Sequence, residues 1–123
     1  MRVKAVKGMI VQIIENLLAN SVYWLKAERI INPSFQPKIG VVIDTDNNLI
    51  ELTDNGPGIE LARAEEVFRP FVTSKPPGEG KGLGLYIAQE LAKYHGCSLS
   101  LSPKKGPNKT LNTFLLDVSQ IRQ

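Results

Sequence analysis

The sequence contains one cysteine and one histidine in 123 residues. A single cysteine, Cys97, excludes an internal disulfide framework and suits a reducing compartment. No apolar run approaches the ~20 residues that a membrane span needs. The N-terminus has basic residues but no apolar core with a small-residue cleavage site, so no signal peptide is visible. Neither charge sign dominates: Lys+Arg 15 against Asp+Glu 12 gives +3, too little to argue for nucleic acid. No internal repeat or low-complexity segment interrupts the chain. What remains is an ordinary globular composition, 42% hydrophobic and 22% charged, in one domain over residues 1–123. That length buries roughly two-thirds of the unfolded surface in one core.

From about Gly8 to Arg29 the spacing predicts a helix, preceded by a short edge strand at Arg2 to Ala5. Ile10, Ile14, Leu17, Ser21 and Leu25 recur at three- and four-residue steps, with Val11, Ile13, Leu18 and Val22 widening the stripe. At ~100° per residue, Gln12, Asn16, Asn20 and Tyr23 gather away from it. Asn is a poor interior helix residue, so two of them one turn apart invite a reason. Solvent exposure and a polar floor to a ligand site are equally open.

Asn32, Pro33 and Pro37 break the helix. Ile39, Val41 and Ile43 alternate as a half-buried strand, Asp46-Asn47-Asn48 supplies turn chemistry, and Leu49 to Thr53 returns as a hairpin. That strand runs into Asp54-Asn55-Gly56-Pro57-Gly58-Ile59, which holds an acid beside close-approaching backbone or is simply a turn. Leu61 to Phe68 reads as a short helix, and Phe68 and Phe71 as aromatics anchored in the core around Pro70. Val72 to Lys81 has little apolar material, as a lid requires. A further helix follows, with an apolar stripe of Leu83, Ile87 and Leu91. Beside it runs a small-residue stripe of Gly84, Ala88 and Ala92, suited to close packing against the first helix. Gly96 is placed as its C-terminal cap. Cys97 to Leu101 and Leu111 to Val118 are the closing strands, joined by a turn over Pro103 to Lys109.

Gly78, Gly80, Gly82 and Gly84 leave a nearly bare backbone before this helix, able to turn its amides toward an anion. The spacing is neither of the common phosphate loops. No Gly stands five before Gly80 and no Ser or Thr follows Lys81, while Pro76-Pro77 removes the strand a dinucleotide turn needs.

Taken in order, these motifs resemble the GHKL (Bergerat-fold) ATP-binding superfamily. Glu15-Asn16-Leu17-Leu18-Ala19-Asn20 looks like its N box, Asp54 to Ile59 its G1 box, Val67-Phe68-Arg69-Pro70-Phe71 its F box and Gly80-Lys81-Gly82-Leu83-Gly84-Leu85 its G2 box. The similarity runs from about Val3 to Val118. The run Phe71 to Lys75, Gly80 to Tyr86 and Tyr94-His95-Gly96 resembles the catalytic, ATP-binding domain of sensor histidine kinases. The resemblance implies a two-layer α/β sandwich: a mixed, mostly antiparallel sheet with three helices on one face. It implies that Asn20 ligates Mg²⁺ and that Asp54 accepts a hydrogen bond from the adenine amino group of ATP. Nucleotide contacts are implied for Asn16, Asn20, Asp54, Gly56, Gly58, Ile59, Thr73, Lys75, Gly80, Lys81, Gly82, Leu83, Gly84 and Leu85, with Asn16 and Lys75 acting in catalysis.

The hydrolysing branches carry Glu one turn before the metal Asn; here that position is Asn16, and Glu15 points ~100° away. This favours phosphoryl transfer to an imidazole over hydrolysis. The alternatives are a GHKL ATPase and a non-enzymatic ATP-sensing module. Histidine kinases usually carry a basic residue three after the metal Asn; here it is Tyr23, so Lys75, Lys81 or Arg69 must compensate. The helical dimerisation segment with the acceptor histidine is missing from this sequence, and His95 is read as a helix-end dipole or packing residue. The implied partners are a histidine-bearing dimerisation domain of the same full-length protein and, indirectly, a response regulator. No nucleic acid and no membrane contact are expected. The implied setting is cytoplasmic, including the cytoplasmic part of a membrane-bound sensor.

Overall fold

The computed structural model describes residues 2–73, 75, 83–106 and 108–121, with side chains from Val6 onward. Helix α1 (Arg2–Ile31) is followed by strands β1 (Ile39–Asp44) and β2 (Leu49–Asp54) and two 3-10 turns (Leu61–Arg63 and Glu66–Phe68). Helix α2 (Gly84–Tyr94) and strands β3 (Ser98–Leu101) and β4 (Thr113–Asp117) complete the order. The sheet runs β1-β2-β4-β3 with every described pair antiparallel. The helices lie against one of its faces, giving the expected two-layer α/β sandwich. The third helical segment, expected as one short helix over Leu61 to Phe68, is the pair of 3-10 turns.

Arg2 to Ala5 is helix, not an edge strand. Four residues with no pairing partner gain nothing by extending, whereas each added helical residue gains a hydrogen bond once the nucleus exists. Along α1 the buried stripe is Met9, Ile13, Leu17, Ser21 and Leu25, in unbroken four-residue steps. Ile10 and Leu18 flank it, while Val11 and Val22, expected to widen it, face outward. Apolar residues cover so much of this helix that its period alone does not choose the packed line; the opposing sheet does.

Pairing aligns two apolar rows across the sheet, Leu52–Phe114–Leu101 and Ile50–Leu116–Leu99. They pack against Ile13 and Leu17 of α1 and against Ala88 and Ala92 of α2 in one core. Ala88 and Ala92 of the small stripe therefore form the buried face of α2, whereas Gly84 is exposed and Ile87 of the larger stripe is 43% exposed. Both rows continue onto β1 as Val41 and Ile43, yet these are 49% and 69% exposed. β1 is thus an edge strand exposed on both faces rather than half-buried, because the helical layer stops short of it. Phe68 is buried edge-on to Phe114 at 6.0 Å, whereas Phe71, expected in the core, is 74% exposed.

Helix α2 ends as expected at Gly96, with φ +79. Gly96 N–H donates to Lys93 O at 3.0 Å and Cys97 N–H to Ala92 O at 2.8 Å, the paired bonds of a Schellman ending. Cys97 is buried just beyond it. No helix among the described residues is long and apolar enough to cross a membrane.

Candidate functional site

On β2, side chains alternate between faces, so Asp54 points to the same side as Ile50 and Leu52, toward the helices. The buried stripe of α1 brings Ser21 to that strand end. Ser21, with no exposed surface, donates from Oγ to Asp54 Oδ2 at 2.7 Å. The Gly56 N–H donates to Oδ1 at 2.8 Å. The carboxylate is held by two donors and keeps further lone pairs for a ligand.

The loop after Asp54 is tied to the chain just before β4. Asp54 N–H donates to Asn112 O at 3.2 Å, and Ile59 and Leu111 exchange backbone bonds at 2.9 and 2.7 Å. Asn112 Nδ2 donates to Gly56 O at 3.0 Å, and Thr110 Oγ1 to Pro57 O at 2.7 Å. Gly58 adopts φ +74, and an added Cβ would collide with Thr110 Oγ1 and sit 2.7 Å from Asn112 Oδ1. Glycine is required there twice over, by backbone conformation and by the space its neighbours occupy. At Gly56 a Cβ would stand 3.0 Å from Asp54 Oδ1 and 3.4 Å from Leu25 Cδ2, crowding the acid it helps to hold.

A cavity of about 520 Å³ opens over this carboxylate, within the usual range for small-molecule sites. Asn16, Asn20 and Trp24 of α1 line it, each one residue before Leu17, Ser21 and Leu25 of the buried stripe. The polar positions therefore adjoin that stripe at ~100° instead of standing opposite to it. Solvent exposure and a ligand floor were both open in the sequence; the cavity favours the floor. Its wall carries Ile59, Val67, Val72, Leu83, Leu85, Leu111 and Phe114 as apolar surface, with Glu60, Arg63, Thr73, Lys75 and Asn112 as polar groups.

The two asparagines differ in what they do. Asn16 accepts at Oδ1 from Gln12 Nε2 at 2.9 Å and donates from Nδ2 to Gly84 O at 3.2 Å, bracing α1 against the start of α2. Among the described residues none hydrogen-bonds the Asn20 amide group, which leaves its oxygen for a ligand. No three His, Cys, Asp or Glu side chains gather as a metal site among the described residues. A lone amide oxygen fits Mg²⁺ whose other positions go to phosphate oxygens and water.

Of the expected nucleotide contacts, Asn16, Asn20, Asp54, Gly58, Ile59, Thr73, Lys75, Leu83, Gly84 and Leu85 line this one cavity. Gly56 is buried behind Asp54 and acts through its N–H. Gly80, Lys81 and Gly82, with most of the expected lid, lie outside the described residues. Arg69 and Glu15 are exposed and do not line the cavity. His95 caps the far end of α2, edge-on to Tyr94 at 5.2 Å, and is not part of it either. Sequence reasoning missed Ser21, Asn112, Thr110 and Trp24. A serine interrupting an apolar stripe was a usable signal; Thr110 and Asn112 have none, since their partners lie more than fifty residues away.

The fold is a two-layer α/β sandwich, with this cavity set between its first helix, the Asp54 loop and the start of its second helix. The chain matches the family of histidine kinase-, DNA gyrase B- and HSP90-like ATPases over residues 6–120, and it belongs to that family. Within it, the chain is similar to sensor histidine kinases. It is 33% identical over 92 residues to the sensor protein ChvG of Agrobacterium fabrum, covering 72% of this chain and 15% of ChvG. Sensor histidine kinase ZraS of Salmonella typhimurium is 26% identical over 114 residues, 93% of this chain and 23% of ZraS. A solved mycobacterial sensor histidine kinase, MprB, aligns with TM-score 0.67 and 26% identity, over 89% of this chain and 68% of that one. The chain spans less than a quarter of the length of these two curated relatives.

Proposed function

We propose that this chain binds ATP with Mg²⁺ and donates the γ-phosphoryl group to a histidine on a separate dimerisation domain of the same full-length protein, in two-component signalling. The observation that carries the reading is a carboxylate fixed by Ser21 and Gly56 at one wall of a cavity whose other wall presents the uncommitted amide of Asn20. Asp54 accepts from the exocyclic amino group of adenine, at lone pairs its two protein donors leave unused. Guanine puts a carbonyl oxygen there and meets the carboxylate unpaired, a discrimination of several kcal/mol, about 10²-fold or more. The apolar wall, from Ile59 to Phe114, suits the faces of a planar base.

Asn20 would hold Mg²⁺, which neutralises charge between the phosphates when bound. Lys75 supplies positive charge at the same cavity, and Thr73 a hydroxyl donor. Gly80, Lys81 and Gly82 are proposed to present amides and an ammonium to the phosphates, on the strength of their motif. Asn16 keeps α1 and α2 in register through its bond to Gly84 O. In the transfer, the acceptor imidazole nitrogen forms a bond to the γ-phosphorus as the bond to the β,γ-bridging oxygen breaks, and ADP leaves with that electron pair. An imidazole nitrogen is already nucleophilic, so positioning supplies most of the catalysis. Hydrolysis lacks comparable support: the residue one turn before Asn20 is the amide Asn16, and Glu15 stands outside the cavity. The site works on the cytoplasmic side, where ATP is available, and reaches a response regulator only through the phosphorylated histidine.

The test supplies the dimerisation domain of the same full-length protein with γ-labelled ATP and Mg²⁺. Acid-labile label on that domain is expected, together with its near-complete loss on Asp54→Asn. Free phosphate without labelled protein would instead favour an ATPase, and binding with neither product an ATP sensor.

A further inference from the structure

We propose that Tyr23 is a positioning residue that holds Lys75 at the phosphate end of the cavity; this deepens the ATP reading and rests on it. Lys75 Nζ lies 4.4 Å from the centroid of the Tyr23 ring, inside the ~6 Å range of a cation–π contact. Tyr23 stands three residues after Asn20 on α1, so the two are neighbours on the helix surface. Lys75 and Asn20 both line the cavity. The ring therefore keeps the ammonium beside the amide that awaits the metal-bound phosphates.

The contact matters because α1 itself brings no cation to this site. Its lining residues are Asn16, Ala19, Asn20 and Trp24, all uncharged. Among the described residues the other lining cation is Arg63, carried on the segment that continues from the Asp54 loop beside Glu60. Charge for the phosphates on the α1 side must come from across the cavity. Lysine delivers it on a flexible four-carbon stem, and an unrestrained stem spreads that charge through solvent. A ring face restrains the stem by attracting charge, which leaves ammonium N–H groups free for phosphate oxygens. Trp24 in turn orients Tyr23, edge-on with centroids 5.0 Å apart and planes at 86°.

A double-mutant cycle read by calorimetric titration with ATP and Mg²⁺ tests this. Tyr23→Leu should weaken ATP binding by about two- to fivefold, the size of a partly exposed cation–π contact. Lys75→Met should weaken it by about tenfold or more, as the loss of a charged hydrogen bond does. In the Lys75→Met background, Tyr23→Leu should have no further effect, and Tyr23→Phe alone should bind ATP more tightly than Tyr23→Leu because the ring face is kept. A Tyr23→Leu loss of equal size in both backgrounds would make Tyr23 a merely structural residue and overturn the proposal, as would unchanged affinity in Tyr23→Leu. A wild-type chain that binds no ATP would instead overturn the ATP reading itself.

Discussion

Asp54 shows how much surrounding structure one functional carboxylate requires. Its two oxygens are held by separate donors, a buried hydroxyl of α1 and a backbone amide two residues on. Ser21→Ala removes the first donor without touching the cavity wall. We expect a stability loss of about 1–2 kcal/mol in denaturant titration, and weaker ATP binding than wild type but stronger than Asp54→Asn. At this scale the sequence was half legible. The acid, Gly58, Gly84 and both asparagines stood out as polar or conformationally special residues, and the cavity gathers them. Ser21 was counted with the apolar stripe because its position follows the helix period, and only its partner 33 residues away explains a buried hydroxyl there. Lys75 and Tyr23 belong to the same group: neither flank says that they meet.

Among the elements, α1 does the most. One line of its surface builds the core and the adjoining line builds the cavity, so a small change of helix rotation would spoil both. Gly8 sits inside this helix with nothing within 4 Å of an added Cβ. Gly8→Ala should therefore stabilise the fold by about 0.5–1 kcal/mol, seen as a raised thermal midpoint with ATP affinity unchanged. Helix α2 was read correctly as to extent and ending, because Gly96 at positive φ is a local requirement. Its small-residue stripe packs as its spacing suggests at Ala88 and Ala92, which are fully buried, but Gly84 of the same stripe is exposed, and no local signal separates it from the alanines. Strand β1 repeats the lesson. Its alternation announces a strand, yet among the described residues both its faces stay exposed.

At the scale of the whole molecule, two side-chain turns lie at one end of the sheet, where Asp44, Leu49, Asp117 and Ser98 stand in one row. Asp44 accepts from Asn47 Nδ2 and from the backbone N–H groups of Asn47 and Asp46, and these bonds hold its carboxyl below the ordinary aspartate range. Asp117 is lowered likewise by the Ser119 hydroxyl and N–H. Groups with depressed folded-state pKa values stabilise fully above their unfolded value, about 3.9, and lose that contribution as pH falls through the folded one. A variant carrying Asp44→Ala and Asp117→Ala should melt below wild type at about pH 7, and the gap should narrow as pH falls below about 3.9. A gap that persisted in acid would assign the effect to packing instead of charge.

Local sequence was enough for part of the backbone: most of two helices from their 3.6-residue period, a hairpin from alternation around Asp46-Asn47-Asn48, and the order of the polar motifs. These are local properties, decided by dihedral preference and by side-chain periodicity within a few residues. Tertiary structure alone decided which line of α1 meets the sheet, that β1 lies uncovered, and that Ser21, Asn112 and Gly56 converge around Asp54. Those pairings join residues up to 58 positions apart, and they form only when packing of the apolar rows sets the helices at one depth and one rotation on the sheet.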